Sequence, residues 1–236
     1  MKFNLITKEK RTMVQAAGAD PTENMNRDEI KAFLLETCDR HIAARETYTN
    51  TKTDAAREYT IHMTMQDGMH LSVITMKAEG LTMDDFRSYW APDVFPANMT
   101  AQEKPLTCEK TNDDLGEGYY CMYQHIKTPM VVSNRCLFQC VTTVELENGG
   151  CIQLVTSKGM KGIEEANTAK IGKDVLAHAF VVYQKAEPCD GGVRMTCVFC
   201  IELGGSLPDF IKKKIAEEQS LGVEGLVKIL RKNKGL

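Results

Sequence analysis

The C-terminal segment places the strongest constraint on the fold, because it carries an apolar stripe that another layer must cover. Four apolar residues recur at offsets of 0, 3, 4 and 7, the spacing of one helix face: Val223, Leu226, Val227 and Leu230. Before them, Ser206 can cap a helix and Pro208 suits its first turn. The segment therefore predicts a long amphipathic helix whose apolar face packs against another layer.

Most of the chain before this helix has a hydrophobic period of two, which is typical of β-strands. Residues 57–80 contain two such runs around Asp67-Gly68, a favoured hairpin turn. Further strand-like runs lie near residues 105–112, 118–127, 134–146, 151–158, 174–186 and 193–203. This series predicts an antiparallel sheet built from hairpins.

Helical signals precede and interrupt the strands. Asn26 and Glu29 have the spacing of a capping box, and a helical stretch after Thr82 is divided by Pro92 and Pro96. The order of elements predicts an α+β fold, with a curved antiparallel sheet of about eight or nine strands closed by the C-terminal helix. Such a sheet and helix enclose a space that is filled either by side chains or by a ligand.

Composition and sequence pattern limit the domain organisation and the possible classes of function. Residues 1–25 are expected to form a loosely attached arm, and residues 26–236 one domain. The net charge of -3 does not favour nucleic-acid binding. The N-terminus lacks the apolar core of a signal peptide, so we expect a cytoplasmic protein whose nine cysteines are reduced.

Candidate catalytic and metal-binding motifs are weak. Cys197 and Cys200 have redox or zinc spacing, but a strand points them to opposite faces. Cys136 and Cys140 can share a face, yet no histidine lies nearby in the sequence to complete a metal site. The five histidines form no catalytic or metal motif. We therefore expect no enzyme, no metal and no cofactor.

Two motifs together resemble the START family, whose members are lipid-transfer domains with a helix-grip fold. The first is YYCMYQHIKTPMVVSNRCLFQC, at residues 119–140, and the second is GGSLPDFIKKKIAEEQ, at residues 204–219. With the strands between them, the resemblance covers roughly residues 27–234. Cys136 departs from the family, which usually has Asp there, and residues 158–175 lack the family's usual Gly-Val-Val/Ile-Arg run.

The resemblance implies that one lipid is bound in a tunnel, without covalent chemistry. The sterol-carrying type has a charged pair at positions that match Met122 and Val141 here, so a phospholipid or sphingolipid is favoured over a sterol. The ceramide-carrying type has polar ligand-binding residues whose matches are Glu103, Gln124 and Gln153. The bound lipid would take the place of a cofactor, and the protein would act as a monomer that contacts membranes transiently.

Strand alternation agrees with this match and extends it. The predicted lipid-binding residues are Glu103, Tyr120, Met122, Gln124, Leu137, Gln139, Val141, Gln153, Met195, Phe199 and Ile201. The alternative is that these residues occupy exposed or ordinary core positions and that the glutamines belong to buried polar networks. The high methionine content fits either a core or an adaptable cavity.

An apolar run lies between two predicted strands and is predicted to form a gate that contacts the membrane. It consists of Met130, Val131 and Val132. The alternative is that these side chains pack under the C-terminal helix. Arg135 is predicted to be structural, paired with a carboxylate beneath the loop. Residues 212–236 contain seven basic and three acidic residues, which favour either an anionic membrane face or a solvated helix end.

Two other functions fit the same scaffold. One is an enzyme acting on a hydrophobic small molecule, which would need Glu103, His125 or Cys197 to meet in the cavity. The other is a lipid sensor that binds lipid without transferring it.

Overall fold

One sheet of ten strands organises the described part of the chain. The computed structural model describes residues 20–55, 58–66, 69–102, 106–128, 132–205 and 207–236. The strands are β1 Asn50–Asp54, β2 Tyr59–Gln66, β3 Met69–Glu79, β4 Leu106–Lys110, β5 Tyr120–Ile126, β6 Arg135–Glu145, β7 Cys151–Thr156, β8 Val175–Leu176, β9 His178–Cys189 and β10 Gly192–Glu202. The helices are α1 Arg27–Ala44, α2 Met83–Trp90, α3 Phe95–Gln102, α4 Lys161–Ala166, α5 Thr168–Ile171 and α6 Asp209–Lys234, with a 3-10 turn at Arg45–Thr47.

The strand order is β1-β2-β3-β10-β9-β7-β6-β5-β4. All these neighbours are antiparallel, and the two-residue β8 pairs in parallel with β6. The predicted α+β class and the antiparallel sheet closed by a C-terminal helix are confirmed. The hairpin of β2 and β3 is also as predicted, although its turn at residues 67 and 68 lies outside the described residues.

One face of the sheet, here called the inner face, packs against α2, α3 and α6. The predicted stripe of α6 is buried there, with 1–5% of each side chain exposed: Val223, Leu226, Val227 and Leu230. The aromatic side chains of Phe86, Trp90 and Phe95, from α2 and α3, join the same cluster. These helices separate the inner face from solvent.

The outer face is also covered. Helix α1 packs Ile30, Phe33 and Leu34 against a cluster that includes Val198 and Cys200 of β10. Because the middle of β10 is covered on both faces, its outward residues Val198 and Cys200 are as buried as the inward Cys197. Helix α1 begins at the predicted capping box, where Glu29 N donates to Asn26 Oδ1 at 3.0 Å.

Short helices α4 and α5 occupy the segment that departs from the family pattern. They pack with Cys136, Phe138 and Met160 on the outer face, beside the cluster under α1. At the N-terminal side, Lys158 Nζ forms an ion pair with Asp20 at 2.6 Å, and Thr22 is buried. Residues near the end of the predicted arm are thus attached to the sheet, while the division at residue 25 stays a prediction.

Candidate functional site

A cavity with a volume of about 130 Å³ lies between the inner face and α6. Helices α2 and α3 close one side, and strands β4, β5, β6, β7, β9 and β10 supply the floor. The lining residues are Tyr89, Phe95, Met99, Gln102, Leu106, Met122, Gln124, Ile126, Leu137, Gln139, Val155, Ala177, Val182, Gln184, Phe199, Ile201, Leu203, Gly222 and Leu226.

Most of this lining is apolar, and its polar side chains are neutral. Four glutamines face the cavity, Gln102, Gln124, Gln139 and Gln184, and Tyr89 adds a hydroxyl. Among the described residues, the lining contains no charged side chain. An apolar cavity with a few neutral hydrogen-bonding groups suits a ligand that is largely hydrocarbon.

Six of the residues predicted from the sequence line the cavity: Met122, Gln124, Leu137, Gln139, Phe199 and Ile201. Strand pairing explains why they meet, because Met122 lies opposite Gln139, and Gln124 lies opposite Leu137. Residues at alternate positions of β5, β6 and β10 therefore share one face.

Four other predicted residues face the same core without lining the cavity. Tyr120, Val141 and Met195 belong to the buried cluster beneath α6. Gln153 is fully buried, and its Oε1 accepts a hydrogen bond of 2.7 Å from the Thr143 hydroxyl. Glu103 lies outside the described residues, so its predicted role stays a prediction.

The sequence reasoning did not identify Gln184 or Gln102 as lining residues. Gln184 lies opposite Gln153 on β7 and opposite Cys197 on β10. Since Gln153 is predicted to face inward, the strand pairing could have placed Gln184 on the same face. Gln102 ends α3, and only tertiary packing brings it to the cavity. Its Nε2 donates to the Gly222 carbonyl at 2.6 Å, while its Oε1 accepts from the Tyr89 hydroxyl at 2.8 Å.

Arg135 joins two loops at one end of the cavity. Its guanidinium donates to the main-chain carbonyls of Ser133, Leu203 and Gly204. Sequence analysis predicted a carboxylate partner for Arg135. Among the described residues, no acidic side chain forms an ion pair with it, so the prediction is wrong for that part of the chain. Main-chain carbonyls take that place, and burial lowers the pKa of the guanidinium.

The predicted gate is adjacent to this junction. Val132 is half-buried, and its carbonyl accepts a hydrogen bond of 2.5 Å from the Thr128 hydroxyl. Met130 and Val131 lie outside the described residues, so the gate stays a prediction. Arg135 connects the β5–β6 loop to the segment that leads into α6.

Of the residues proposed for an enzyme, Cys197 and His125 do not meet, and Glu103 lies outside the described residues. Cys197 belongs to the inner cluster, where burial raises the pKa of its thiol. His125 alternates with the cavity-lining Gln124 and Ile126, and its Nε2 lies 2.9 Å from an Asp174 carboxylate oxygen. The two side chains therefore point to opposite faces of the sheet.

The cysteines show the same separation. Cys197 and Cys200 lie in different clusters, on the inner and outer faces, as the strand pattern predicts. None of the nine cysteines, all in the described residues, forms a disulfide bond. The described residues contain no group of three or more potential ligands that could hold a metal ion. None of the described helices is long and apolar enough to span a bilayer.

Comparison with solved structures identifies the fold. Human StAR-related lipid transfer protein 5 matches with a TM-score of 0.67 and 11% identity, over 87% of this chain and 98% of that chain. Human STARD10 matches with a TM-score of 0.65 and 11% identity, over 88% of this chain and 80% of that chain. A STAR-related lipid transfer protein from Xanthomonas axonopodis matches with a TM-score of 0.57 and 18% identity, over 77% and 98%.

The chain therefore has the START, or helix-grip, fold that the two sequence motifs predict. These likenesses lie in the structure, because identities of 11–18% are low. A scan against models of protein families finds no match, and a search of curated protein sequences finds none.

Proposed function

We propose that this protein binds a single lipid between its sheet and α6 and carries it between membranes without changing it chemically. The observation that carries the proposal is the apolar cavity beneath α6, in a chain with the START fold. Its structural neighbours include proteins described as lipid transfer proteins. A cytoplasmic, monomeric carrier that contacts membranes transiently fits this proposal.

The cavity has to widen to hold a lipid. Its volume of about 130 Å³ is below the roughly 300 to 1,000 Å³ typical of ligand pockets. Met99 and Met122 form part of its wall, and unbranched methionine side chains adapt readily to new shapes. Lipid uptake therefore involves repacking of the wall and displacement of α6, which forms one side of the cavity.

The family resemblance by itself favours a phospholipid or sphingolipid over a sterol. This preference follows the family resemblance, because Met122 and Val141 replace the charged pair of the sterol-carrying type. Both side chains are buried among apolar neighbours, Met122 in the cavity wall and Val141 in the core behind it. Neither can supply a charged group that hydrogen-bonds to a sterol hydroxyl.

The end of the sheet near Arg135 is the proposed membrane-contact face. Phe210, in the first turn of α6, exposes 70% of its surface, and Val132 in the β5–β6 loop is half-buried. Lys213 and other lysines follow Phe210 in the sequence. An exposed aromatic residue near basic residues suits the interface of an anionic bilayer.

A vesicle assay tests the proposal. The purified full chain is mixed with donor vesicles that contain a fluorescent lipid and acceptor vesicles that contain a quencher. We expect the protein to accelerate lipid movement at catalytic concentrations and the lipid to be recovered unchanged. Stable binding without acceleration would favour a sensor, and chemical conversion of the lipid would favour an enzyme.

A further inference from the structure

Gln139 places an unpaired acceptor at the wall of the cavity. Only 2% of its surface is exposed, and its Oε1 forms no hydrogen bond with the described residues. The side chain faces inward from the middle of β6, opposite Met122. A buried carbonyl oxygen without a donor is costly, so such an atom calls for a partner.

The protein side of the cavity does not provide that partner. On its own strand, Leu137 and Val141 are the inward neighbours of Gln139, and both are apolar. Gln102 is not available as a donor, because its side-chain nitrogen and oxygen both form hydrogen bonds with other groups. Gln124 and Gln184 also line the cavity, but neither donates to Gln139 Oε1, which has no partner among the described residues. A molecule in the cavity can therefore supply the donor.

Two more buried polar atoms lie on the same face, further along the strands. The Tyr120 hydroxyl and Gln153 Nε2 also form no hydrogen bond with the described residues. Burial raises the pKa of the Tyr120 hydroxyl. A hydrogen-bonding interaction with the nearby Gln153 side chain lowers that pKa by a smaller amount. These two groups can satisfy one another after a small rotation. Trp90 Nε1 is also unpaired in the inner cluster, but Trp90 does not line the cavity, so Gln139 Oε1 is the unpaired atom at the cavity wall.

The charge of the ligand follows from the same wall. The described lining residues carry no cation that could neutralise a phosphate and no anion that could pair with an amine. An ionised head group buried there would lose its hydration without gaining an ion pair. Rotating the Gln139 amide exchanges its oxygen and nitrogen, but either end is neutral, so this conclusion does not depend on the rotamer.

We propose that the cavity takes an uncharged lipid, and that a hydroxyl or amide N–H of its polar group donates to Gln139. This inference rests on the proposed function and revises the ligand class given there. It excludes phospholipids, keeps sphingolipids without a phosphate, and readmits a sterol, because a hydroxyl can donate to Gln139 without a charged pair. Diacylglycerol, ceramide and a sterol are three sources of the same chemistry. A phospholipid is excluded because its head group is charged.

Competitive loading tests this assignment. The full chain is incubated with vesicles that contain equal amounts of diacylglycerol, ceramide, cholesterol, phosphatidylcholine and phosphatidic acid. The protein is then separated, and its bound lipid is extracted and quantified by mass spectrometry. We expect one or more of the uncharged lipids to be enriched over both phospholipids by about tenfold or more, as expected when a buried charge lacks a partner.

Two variants test whether Gln139 determines the selectivity for uncharged lipids. Gln139→Leu and the more nearly isosteric Gln139→Met both remove the acceptor, and we expect about tenfold less uncharged lipid to be loaded. Their lipid-free forms should melt at the same or a higher temperature, because a buried unpaired polar atom has been removed. Phe138→Leu, on the opposite face of β6, is the control, and it should melt earlier while keeping the loading profile.

The outcomes separate this inference from the proposed function. Recovery of phosphatidylcholine or phosphatidic acid at the level of the uncharged lipids would overturn the inference and leave lipid carriage intact. Unchanged loading of both Gln139 variants would also overturn it. Recovery of no lipid from any vesicle would overturn the proposed function and this inference together. Which of the three uncharged lipids is retained identifies the source.

Discussion

Gly225 of α6 lies so close to Gln102 of α3 that a Cβ atom on the glycine would come within 3.1 Å of Gln102 Nε2. That nitrogen donates to the carbonyl of Gly222, one turn earlier in α6. Two glycines therefore allow the helix over the cavity to approach α3 closely. This contact adds to the apolar packing that holds α6, which forms one wall of the cavity.

Gly225→Ala should give no gain in stability, although alanine normally favours a helix over glycine by about 0.5–1 kcal/mol. The new methyl group would push against the Gln102 amide and offset that gain. Gly162→Ala in α4 is the matched control, since a Cβ there meets no atom within 4 Å. Urea denaturation should show a higher midpoint for Gly162→Ala alone, and an equal rise for Gly225→Ala would contradict the close contact.

Gln102→Leu should loosen α6 and speed lipid exchange. It removes the hydrogen bonds to Gly222 and Tyr89, and we expect a loss of about 1 kcal/mol in unfolding free energy. Asn98→Ala is the control, because Asn98 Nδ2 donates to the Tyr89 carbonyl at 2.9 Å within the α2–α3 unit. A comparable loss of stability without faster transfer is expected for the control. Equal transfer rates in the two variants would argue against α6 as the moving part.

The sequence predicts the floor of the cavity better than its walls. Alternation along β5 and β6 assigned Gln124 and Gln139 to the inner face, because the side-chain period of a strand is fixed by its geometry. The same rule could not reveal Gln102, whose contact with Gly222 spans 120 residues of sequence. Helix termini are placed against distant elements by tertiary packing, which has no local sequence period.

A second limit concerns the outer face and the partners of buried charges. The alternation of β10 directs Val198 and Cys200 outward, yet it does not say that α1 covers them. Similarly, a buried guanidinium at Arg135 requires acceptors, but sequence does not tell a carboxylate from main-chain carbonyls. The carbonyls of Leu203 and Gly204 reach Arg135 only because the segment after β10 folds back beside β6.

Arg135→Met should destabilise the end of the cavity near the proposed membrane-contact face. It would leave carbonyls of Ser133, Leu203 and Gly204 without their donor, at a cost of about 2 kcal/mol. Arg135→Lys should recover only part of this, because an ammonium group cannot reproduce the planar fork of a guanidinium.

Chemical denaturation measures these losses. Arg194→Met changes an exposed arginine on β10 and serves as the control, with a change within about 0.5 kcal/mol. If Arg135→Met unfolds at the same denaturant concentration as this control, the hydrogen bonds of Arg135 to the two loops contribute nothing to stability.

Stability should fall as the pH rises through the raised pKa of His178. The Glu164 carboxylate, 3.5 Å from His178 Nε2, is the main cause of the raised pKa, and Glu202 adds to it. A folded-state pKa above the unfolded value of about 6.5 means that the stabilisation is complete below that pH. It is lost as the imidazole deprotonates at higher pH.

Glu164→Gln should remove this part of the pH dependence. Urea denaturation at pH 6 and pH 9 would measure it, with a smaller loss of unfolding free energy for the variant than for the wild type. Glu165→Gln changes an exposed neighbour on α4 and should keep the wild-type dependence. A wild-type dependence in Glu164→Gln would show that another group controls stability in this pH range.

Phe210→Ser should slow lipid transfer without lowering stability. Phe210 exposes 70% of its surface at the start of α6, after the segment that Arg135 holds at Leu203, so serine removes apolar contact with a membrane but little internal packing. Burying a phenylalanine contributes about 1.5–3 kcal/mol, so vesicle affinity and transfer should fall by about tenfold or more. Leu236→Ser is the control, because Leu236 is 65% exposed at the opposite end of the same helix. Equal transfer by the two variants at equal stability would move the membrane contact away from Phe210.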